Sequence, residues 1–150
     1  MASLVRNIIL IGLAALAVER SSAQDKIIVA SGAGEILDID IATCQVSLVG
    51  ISPFVFSDIA FTPDGRLWGW HWDSASLFEI DPNDATTNLV GSAFGFNTVS
   101  LVAYDDSVLL GIYQGTLYGI QVSTAFTWPI GTVGFLASGE RCFVVRFHSI

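Results

Sequence analysis

Apolar residues along this chain fall in short runs separated by turn-forming residues, a pattern typical of β-strands rather than helices. The clearest case is residues 57–91, in which the runs SDIAFTP, RLWGWHW, SLFEID and TTNLVG follow one another. Asp64-Gly65 and Pro82-Asn83-Asp84 separate runs, and these residue types favour tight turns because they adopt the backbone angles that turns require. The stretch therefore predicts one unit of four antiparallel strands.

The same unit recurs before and after this stretch. The segments GEILDIDIATCQVSLVG, SASLFEIDPNDATTNLVG and QGTLYGIQVSTAFTWPIG align, and they end at Gly50, Gly91 and Gly131, which are 41 and 40 residues apart. The preceding half-unit repeats too, since residues 59–70 match residues 101–112, and residues 26–31 are a degenerate copy of its second strand. A period near 40 with four short strands per unit is typical of propeller blades.

These repeats resemble extracellular β-propeller repeats of the YVTN/NHL-like kind, found in secreted bacterial proteins. The residues that carry the resemblance are Asp58, Ile59, Ala60-Phe61, Pro63-Asp64-Gly65, Leu67-Trp68-Gly69, Leu77-Phe78, Ile80-Asp81 and Val90-Gly91. The resemblance covers about residues 25–134 and implies that the chain is a fragment of such a propeller. It implies an architecture and leaves the activity open, because propellers carry many unrelated functions.

We therefore predict an all-β fold, a partial β-propeller of about three four-stranded antiparallel blades at about residues 26–52, 57–92 and 97–132. The first blade contains only three of its strands, and residues 133–150 are irregular or form one last strand. Closed propellers need four to eight blades. Either the last strand completes the first blade and two chains join into one ring, or an open stack leaves an apolar end face that requires a partner.

The N-terminus predicts export. Arg6 precedes the apolar run 8–18, and the small residues Ser21 and Ala23 follow it, as in a signal peptide that spans residues 1–23. A cut after Ala17 is the alternative. The run is too short to span a bilayer, so we expect no stable membrane insertion after cleavage and a secreted or cell-surface location. Residues 24–150 would form the propeller repeats.

The C-terminus departs from the repeat. Where the pattern requires another acidic turn and strand, the chain reads ERCFVVRFHSI, with Arg141 and Arg146 close together. This change in composition favours a truncated or frame-shifted end over a genuine terminal strand. Cys142 in this segment and Cys44 in the first blade could form a disulfide in an oxidising compartment, which would fit closure of the first blade.

Charge argues against nucleic acid as a partner. The net charge is -8, and residues 35–140 contain twelve acidic residues and one base, Arg66. Nucleic-acid binding depends on clustered Lys and Arg, which this span lacks. Protein and glycan partners remain, together with self-association that completes a ring.

Three tryptophans are the candidate ligand-binding residues. Trp68, Trp70 and Trp72 alternate along one predicted strand, so their rings should lie on one face. Such a row could stack on a sugar ring or another flat ligand. The alternative, which we favour, is that the rings fill the space between adjacent blades, with Trp72 the nearest of the three to an exposed strand end.

Other constellations are weaker. Asp81 and Asp84 are calcium candidates, but the spacing of DPNDAT fits Asx turns better than a calcium loop. His71 has no cysteine or carboxylate at metal-ligand spacing on its side of the strand. A nucleophile elbow is also absent, because the serine is at the wrong position in Gly91-Ser92-Ala93-Phe94-Gly95. The sequence contains no phosphate-binding loop motif. We predict no catalytic residues and no cofactor.

The function predicted from these observations is an exported β-propeller segment that acts as a non-catalytic binding or structural module at or outside the cell surface. The alternative is a fragment of a propeller enzyme, a lyase or glycan hydrolase, whose catalytic residues lie in blades that are missing from this chain.

Overall fold

The computed structural model describes residues 26–133, and all regular elements in this range are β-strands. They are β1 (Lys26–Ala30), β2 (Glu35–Asp40), β3 (Gln45–Ile51), β4 (Phe56–Phe61), β5 (Leu67–His71), β6 (Ser76–Ile80), β7 (Thr87–Ser92), β8 (Leu101–Ala103), β9 (Val108–Tyr113), β10 (Thr116–Gln121) and β11 (Thr127–Thr132). Within these residues no helix is long and apolar enough to cross a membrane.

The strands form three antiparallel sheets, taken in chain order. Sheet 1 contains β1, β2 and β3, sheet 2 contains β4 to β7, and sheet 3 contains β8 to β11. Within each sheet, every strand pairs with the strands that adjoin it in sequence, as in a meander. The all-β partial propeller with a three-stranded first unit is therefore confirmed. The predicted signal segment, the tail strand and Cys142 lie outside the described residues.

Sheet 2 shows why the sequence forms these strands. The turn between β4 and β5 closes through the Gly65 N–H, which donates to the Thr62 carbonyl at 2.9 Å, and Gly65 has a φ of 84°. Glycine adopts this left-handed conformation without steric cost. Ala85, with a φ of 63°, makes the corresponding bend between β6 and β7, and its N–H donates to the Asp81 carbonyl at 2.9 Å.

Each sheet has two apolar faces because directly paired residues of neighbouring strands lie on the same side. We call the side that meets the following sheet the forward face and the opposite side the rear face. On sheet 2, Trp68, Trp70 and Leu77 lie on the forward face and pack against sheet 3. Leu67, Phe78 and Ile80 lie on the rear face and pack against sheet 1. The core is thus two layers, each sandwiched between successive sheets.

The inner strands of sheets 2 and 3 are also joined by polar contacts. The Asp58 carboxylate accepts the Leu101 N–H at 2.7 Å, and the Ser57 hydroxyl donates to the Thr98 carbonyl at 2.8 Å. Near the strand ends, the Asp106 carboxylate accepts the Asp64 N–H at 2.8 Å. These bonds fix the position of one sheet on the next, and they determine where the loops at either end of the sheets lie.

Candidate functional site

The connections between strands gather at two opposite ends of the sheets, because consecutive strands are antiparallel and their connections are short. One end comprises residues 31–34, 52–55, 72–75, 93–100 and 114–115, and we call it the tryptophan end because Trp72 lies there. The other comprises residues 41–44, 62–66, 81–86, 104–107 and 122–126, and we call it the acidic end.

Two of the three predicted ligand-binding tryptophans are buried. Trp68 and Trp70 have 0% relative exposure and belong to the core between sheets 2 and 3. The Trp68 indole N–H donates to the Thr62 hydroxyl at 3.0 Å, and the Arg66 guanidinium lies 4.4 Å from the ring centroid. A ligand reaches neither ring in this structure. The packing interpretation therefore accounts for both residues.

Trp72 is placed differently from the other two. The prediction that its ring continues the row along one strand is wrong, because β5 ends at His71 and Trp72 begins the following turn. Its side chain is 43% exposed. Its carbonyl accepts the Ala75 N–H at 3.1 Å and the Asn97 side-chain amide at 2.8 Å, so the backbone that carries the ring is fixed.

Asn97 joins the Trp72 turn to the core. Its amide N–H₂ donates to the Trp72 carbonyl, and its amide oxygen accepts the Trp70 indole N–H at 3.1 Å. A second bond, in which the Ala93 N–H donates to the Ala75 carbonyl at 2.9 Å, ties the same two connections together. The loops 72–75 and 93–97 therefore form one supported unit.

This unit carries a second exposed ring. Phe94 is 96% exposed, which is unusual for so large an apolar side chain. The turn that presents it bends at Gly95, whose φ is 80°, and closes through the Phe96 N–H, which donates to the Ala93 carbonyl at 3.1 Å. Below it, Phe96 is 3% exposed and packs edge-on against Trp70 at a centroid distance of 5.1 Å. Sequence reasoning missed Phe94, although a lone Phe-Gly pair within a connection between repeats was the available signal.

His71 lies at the same end, on the rear side of sheet 2. Its Nδ1 and the Ser74 hydroxyl are 2.7 Å apart. The imidazole also contacts the Phe54 ring at a centroid distance of 5.3 Å and the Phe78 ring at 6.2 Å. A serine beside a histidine is the start of a nucleophile–base pair, but catalysis also needs a third group that orients the base. Among the described residues, aromatic rings rather than a carboxylate contact this imidazole.

The acidic end consists of carboxylates that stabilise their own turns. The Asp81 carboxylate accepts the Asn83 N–H at 2.8 Å, and the Asp84 carboxylate accepts the Thr86 N–H at 2.8 Å, as expected for Asx turns. The Thr86 N–H also lowers the pKa of Asp84 below its usual value. Asp105 repeats the pattern with Ser107 and Val108. Within residues 26–133 no three His, Cys, Asp or Glu side chains lie close enough to bind one metal ion.

No protein-family model and no curated protein matches the sequence. Solved structures with the same fold do match. A protein of unknown function from Bacteroides thetaiotaomicron matches with a TM-score of 0.55 and 14% identity over 76% of this chain and 30% of its own. Virginiamycin B lyase from Staphylococcus aureus matches with a TM-score of 0.50 and 11% identity over 75% of this chain and 43% of its own.

These likenesses agree with the partial propeller described above. At such low identity they concern the fold alone. The chain spans less than half the length of either structure.

Proposed function

We propose that this chain is an exported β-propeller segment that acts as a non-catalytic binding module at or outside the cell surface, and that the tryptophan end is its binding surface. The observation that carries the proposal is the pair of exposed rings, Trp72 and Phe94, on two loops that hydrogen bonds tie together. Large aromatic side chains exposed on supported loops are typical of binding surfaces, where they contribute area at low entropic cost.

A glycan is the ligand class that this surface suits best. Sugar rings present flat C–H faces that stack on indole and phenyl rings, while their hydroxyl groups require polar partners at the rim. Asp73 and Ser74 are exposed in the same turn as Trp72, and the Asn97 side chain lies behind it. The surface therefore combines exposed aromatic rings with hydrogen-bonding groups. The signal-peptide pattern of residues 1–23 would place it where extracellular glycans occur.

The experiment is a glycan array followed by calorimetry on the best ligand, with the full chain and two single variants. We expect Trp72→Ala to weaken binding by about tenfold or more, because central aromatic side chains carry most of the energy of a binding surface. Tyr104→Ala is the matched control, since Tyr104 is a 71% exposed ring at the opposite, acidic end. Equal effects of the two variants, or no binding to any glycan, would contradict the proposal.

The second candidate is a fragment of a propeller lyase or glycan hydrolase. The observation that favours it is the 2.7 Å contact between His71 Nδ1 and the Ser74 hydroxyl. If this pair is catalytic, incubation of the full chain with bound oligosaccharide releases shorter products, and Ser74→Ala abolishes the release. We expect no products, because the described residues lack a group that would orient the imidazole as a base.

A further inference from the structure

The two joints between successive sheets are built in the same way. At each joint a glycine of the outer strand of one sheet lies under the turn that connects the last two strands of the next sheet. Gly50 of β3 lies against Asp84 and Ala85, and Gly91 of β7 lies against Thr124 and Ala125. A Cβ on Gly91 would come within 2.6 Å of the Thr124 carbonyl oxygen, so only glycine fits. We call the glycine the socket and the turn the knob.

The two knobs share one backbone shape. Ala85 and Ala125 have φ values of 63° and 59°, in the left-handed region that non-glycine residues seldom adopt. Both are buried by the joint, with exposures of 2% and 1%. Small side chains at this position let the turn approach the socket of the preceding sheet.

Sheet 1 carries a third knob, which contacts no glycine socket among the residues that the structure describes. Cys44 precedes β3 at the position that Ala85 and Ala125 occupy in their sheets, and its φ of 55° is the same bend. The Asp40 carboxylate supports this turn by accepting the N–H groups of Ala42 and Thr43 at 2.8 and 3.1 Å. Cys44 is nevertheless exposed, because no sheet precedes sheet 1 among the described residues.

Sheet 3 carries a third socket that is open. Gly131 pairs with Leu117, as Gly50 pairs with Ile36 and Gly91 with Leu77. Among residues 26–133 no atom lies within 4 Å of the position that a Cβ on Gly131 would take. The residues paired with these glycines differ in burial in the same way. Ile36 and Leu77 are fully buried, whereas Leu117 is only half-buried.

The faces around this knob and socket are apolar. Register places seven apolar side chains on the rear face of sheet 1, and five of them are at least 36% exposed. They are Ile27, Val29, Leu37, Ile39, Val46, Leu48 and Ile51. The forward face of sheet 3 carries Leu110, Ile112 and Leu117, all half-buried, where sheet 2 has its buried Trp68, Trp70 and Leu77.

We propose that the rear face of sheet 1 docks onto the forward face of sheet 3 of a second copy of this chain, with the Thr43–Cys44 knob seated on the partner's glycine socket. This contact has the same geometry as both internal joints, in which the turn of one sheet lies on a glycine of the preceding sheet. It is head-to-tail, so each copy offers one knob and one socket. Two copies joined at both surfaces would bring six sheets together, within the range in which propellers close.

A second copy is the occupant because the three described sheets are too few to close a ring, so the knob and the socket of one molecule stay apart. By the geometry of both internal joints, the surface that fits the Gly131 socket is one that this chain itself carries. The Thr43–Cys44 turn is present, exposed and already bent, at the opposite end of the same molecule. The inference does not depend on the proposed glycan binding, which concerns the tryptophan end.

The first test blocks the socket. Gly131→Val should leave the fold intact, because the position is open and its φ is not left-handed, but in the docked state the side chain would meet the knob. We expect wild type to associate as its concentration rises in sedimentation or light-scattering measurements under a thiol reductant. Gly131→Val should weaken that association by about ten- to a hundredfold, the effect of overpacking a closed joint. The control is Thr132→Val, an isosteric change at the next exposed residue on the other side of β11.

The second test blocks the knob. Cys44→Ala installs the residue found in both internal knobs and should keep the association, whereas Cys44→Lys should weaken it as Gly131→Val does. If Gly131→Val fails to fold by circular dichroism, this pair decides the matter alone. A wild type that stays monomeric at all concentrations, or a Cys44→Lys protein that associates as wild type does, would overturn the proposal.

Mixing the two blocked variants tests the head-to-tail geometry. Gly131→Val retains its knob and Cys44→Lys retains its socket, so each alone should be monomeric and an equimolar mixture should form a capped pair. A symmetric contact between identical surfaces would give no recovery on mixing. Absence of a heteromeric species in the mixture would therefore reject the head-to-tail arrangement.

Discussion

Asp58 shows how one side chain couples two sheets. Its carboxylate accepts the N–H groups of Leu101 in sheet 3 and of its own neighbour Ile59, at 2.7 and 2.9 Å. A partly buried backbone N–H that loses such an acceptor is left without a hydrogen bond, and its desolvation then lowers the free energy of unfolding. The sequence marks this aspartate as part of the repeat, but its partner lies 43 residues away and is visible only in the fold.

We predict that Asp58→Asn lowers the free energy of unfolding by about 1–3 kcal/mol, because an amide offers one acceptor where the carboxylate offers two and places an N–H₂ opposite one of the backbone N–H groups. Urea unfolding followed by tryptophan fluorescence measures the change. Asp73→Asn, at an exposed turn residue, is the control and should change stability by less than about 0.5 kcal/mol. Equal effects of the two variants would argue against the coupling.

The pH dependence of stability follows from pKa shifts of opposite direction in Asp58 and in the aspartates of the acidic end. Burial raises the pKa of Asp58 above 3.8, although the N–H groups of Leu101 and Ile59 partly oppose this. The folded protein therefore binds this proton more tightly, and the contribution of Asp58 to stability grows as the pH falls towards 3.8 and is lost as it rises. Backbone N–H groups instead lower the pKa values of Asp84 and Asp105, so their contribution is present above 3.8 and is lost at lower pH.

We predict that the stability difference between wild type and Asp58→Asn widens when the pH is lowered from about 7 to about 4, since only the wild type gains from protonation at this site. Paired urea titrations at the two pH values measure it. The aspartates of the acidic end are present in both proteins, so their titration cancels in the comparison. A difference that shrinks on acidification would show that the pKa of Asp58 is lowered instead.

The aligned glycines make a matched pair for substitution. We predict that Gly91→Ala costs about 1–3 kcal/mol of stability, because its Cβ would press on the Thr124 carbonyl of the next sheet. Gly131→Ala should be neutral or slightly stabilising, because no described residue lies near the position of its Cβ. Thermal unfolding at low protein concentration compares them. A Gly91→Ala protein as stable as Gly131→Ala would contradict the tight joint.

At the scale of the element, β5 shows why alternation extended the predicted strand one residue too far, through Trp72. The run RLWGWHW continues the period of two through Trp72, but pairing with β6 ends at His71 and the chain turns. Strand propensity is a local property, whereas the point at which a strand ends depends on the length of its partner. The positions of β4 to β7 were predicted within one or two residues, and the exposure of Trp72 alone among the three was decided by that final residue.

We predict that Trp68→Ala destabilises the protein by about 3–5 kcal/mol, since it empties a fully buried site between two sheets and leaves the Thr62 hydroxyl without its indole partner. Trp72→Ala, the matched removal of an exposed ring, should cost less than about 1 kcal/mol. Chemical denaturation of both variants gives the comparison. Similar losses for the two would mean that Trp72 also belongs to the core.

At the scale of the whole molecule, the two ends of the sheets differ in character. The tryptophan end presents Trp72 and Phe94 on loops that are tied to each other, whereas the acidic end presents the rings of Tyr104 and Phe126 beside aspartates that accept hydrogen bonds from their own turns. An ion pair joins Arg66 to Glu79 near the acidic end, at 2.8 Å, and both groups are substantially exposed. Exposed pairs contribute little to stability, so we expect this one to add less than about 1 kcal/mol to the free energy of unfolding.

Export is a prediction of the sequence alone, and it concerns residues outside the described range. We predict that a secreting host releases a protein whose first residue is Gln24, because Ser21 and Ala23 present small side chains to the signal peptidase. Mass spectrometry of the secreted protein identifies the terminus. Ala23→Phe should block this cut, and a terminus at Val18 would favour the alternative cut after Ala17.

The sequence by itself determined the strands, the turns and the period of forty residues, because these depend on local patterns of apolar, turn-forming and glycine residues. The tertiary structure decided what each repeated position does. Gly50 and Gly91 close joints while Gly131 stays open, and Trp68 and Trp70 fill the core while Trp72 lies at the surface. The physical reason is that burial depends on which sheet packs against a residue, and the local sequence pattern does not determine that sheet.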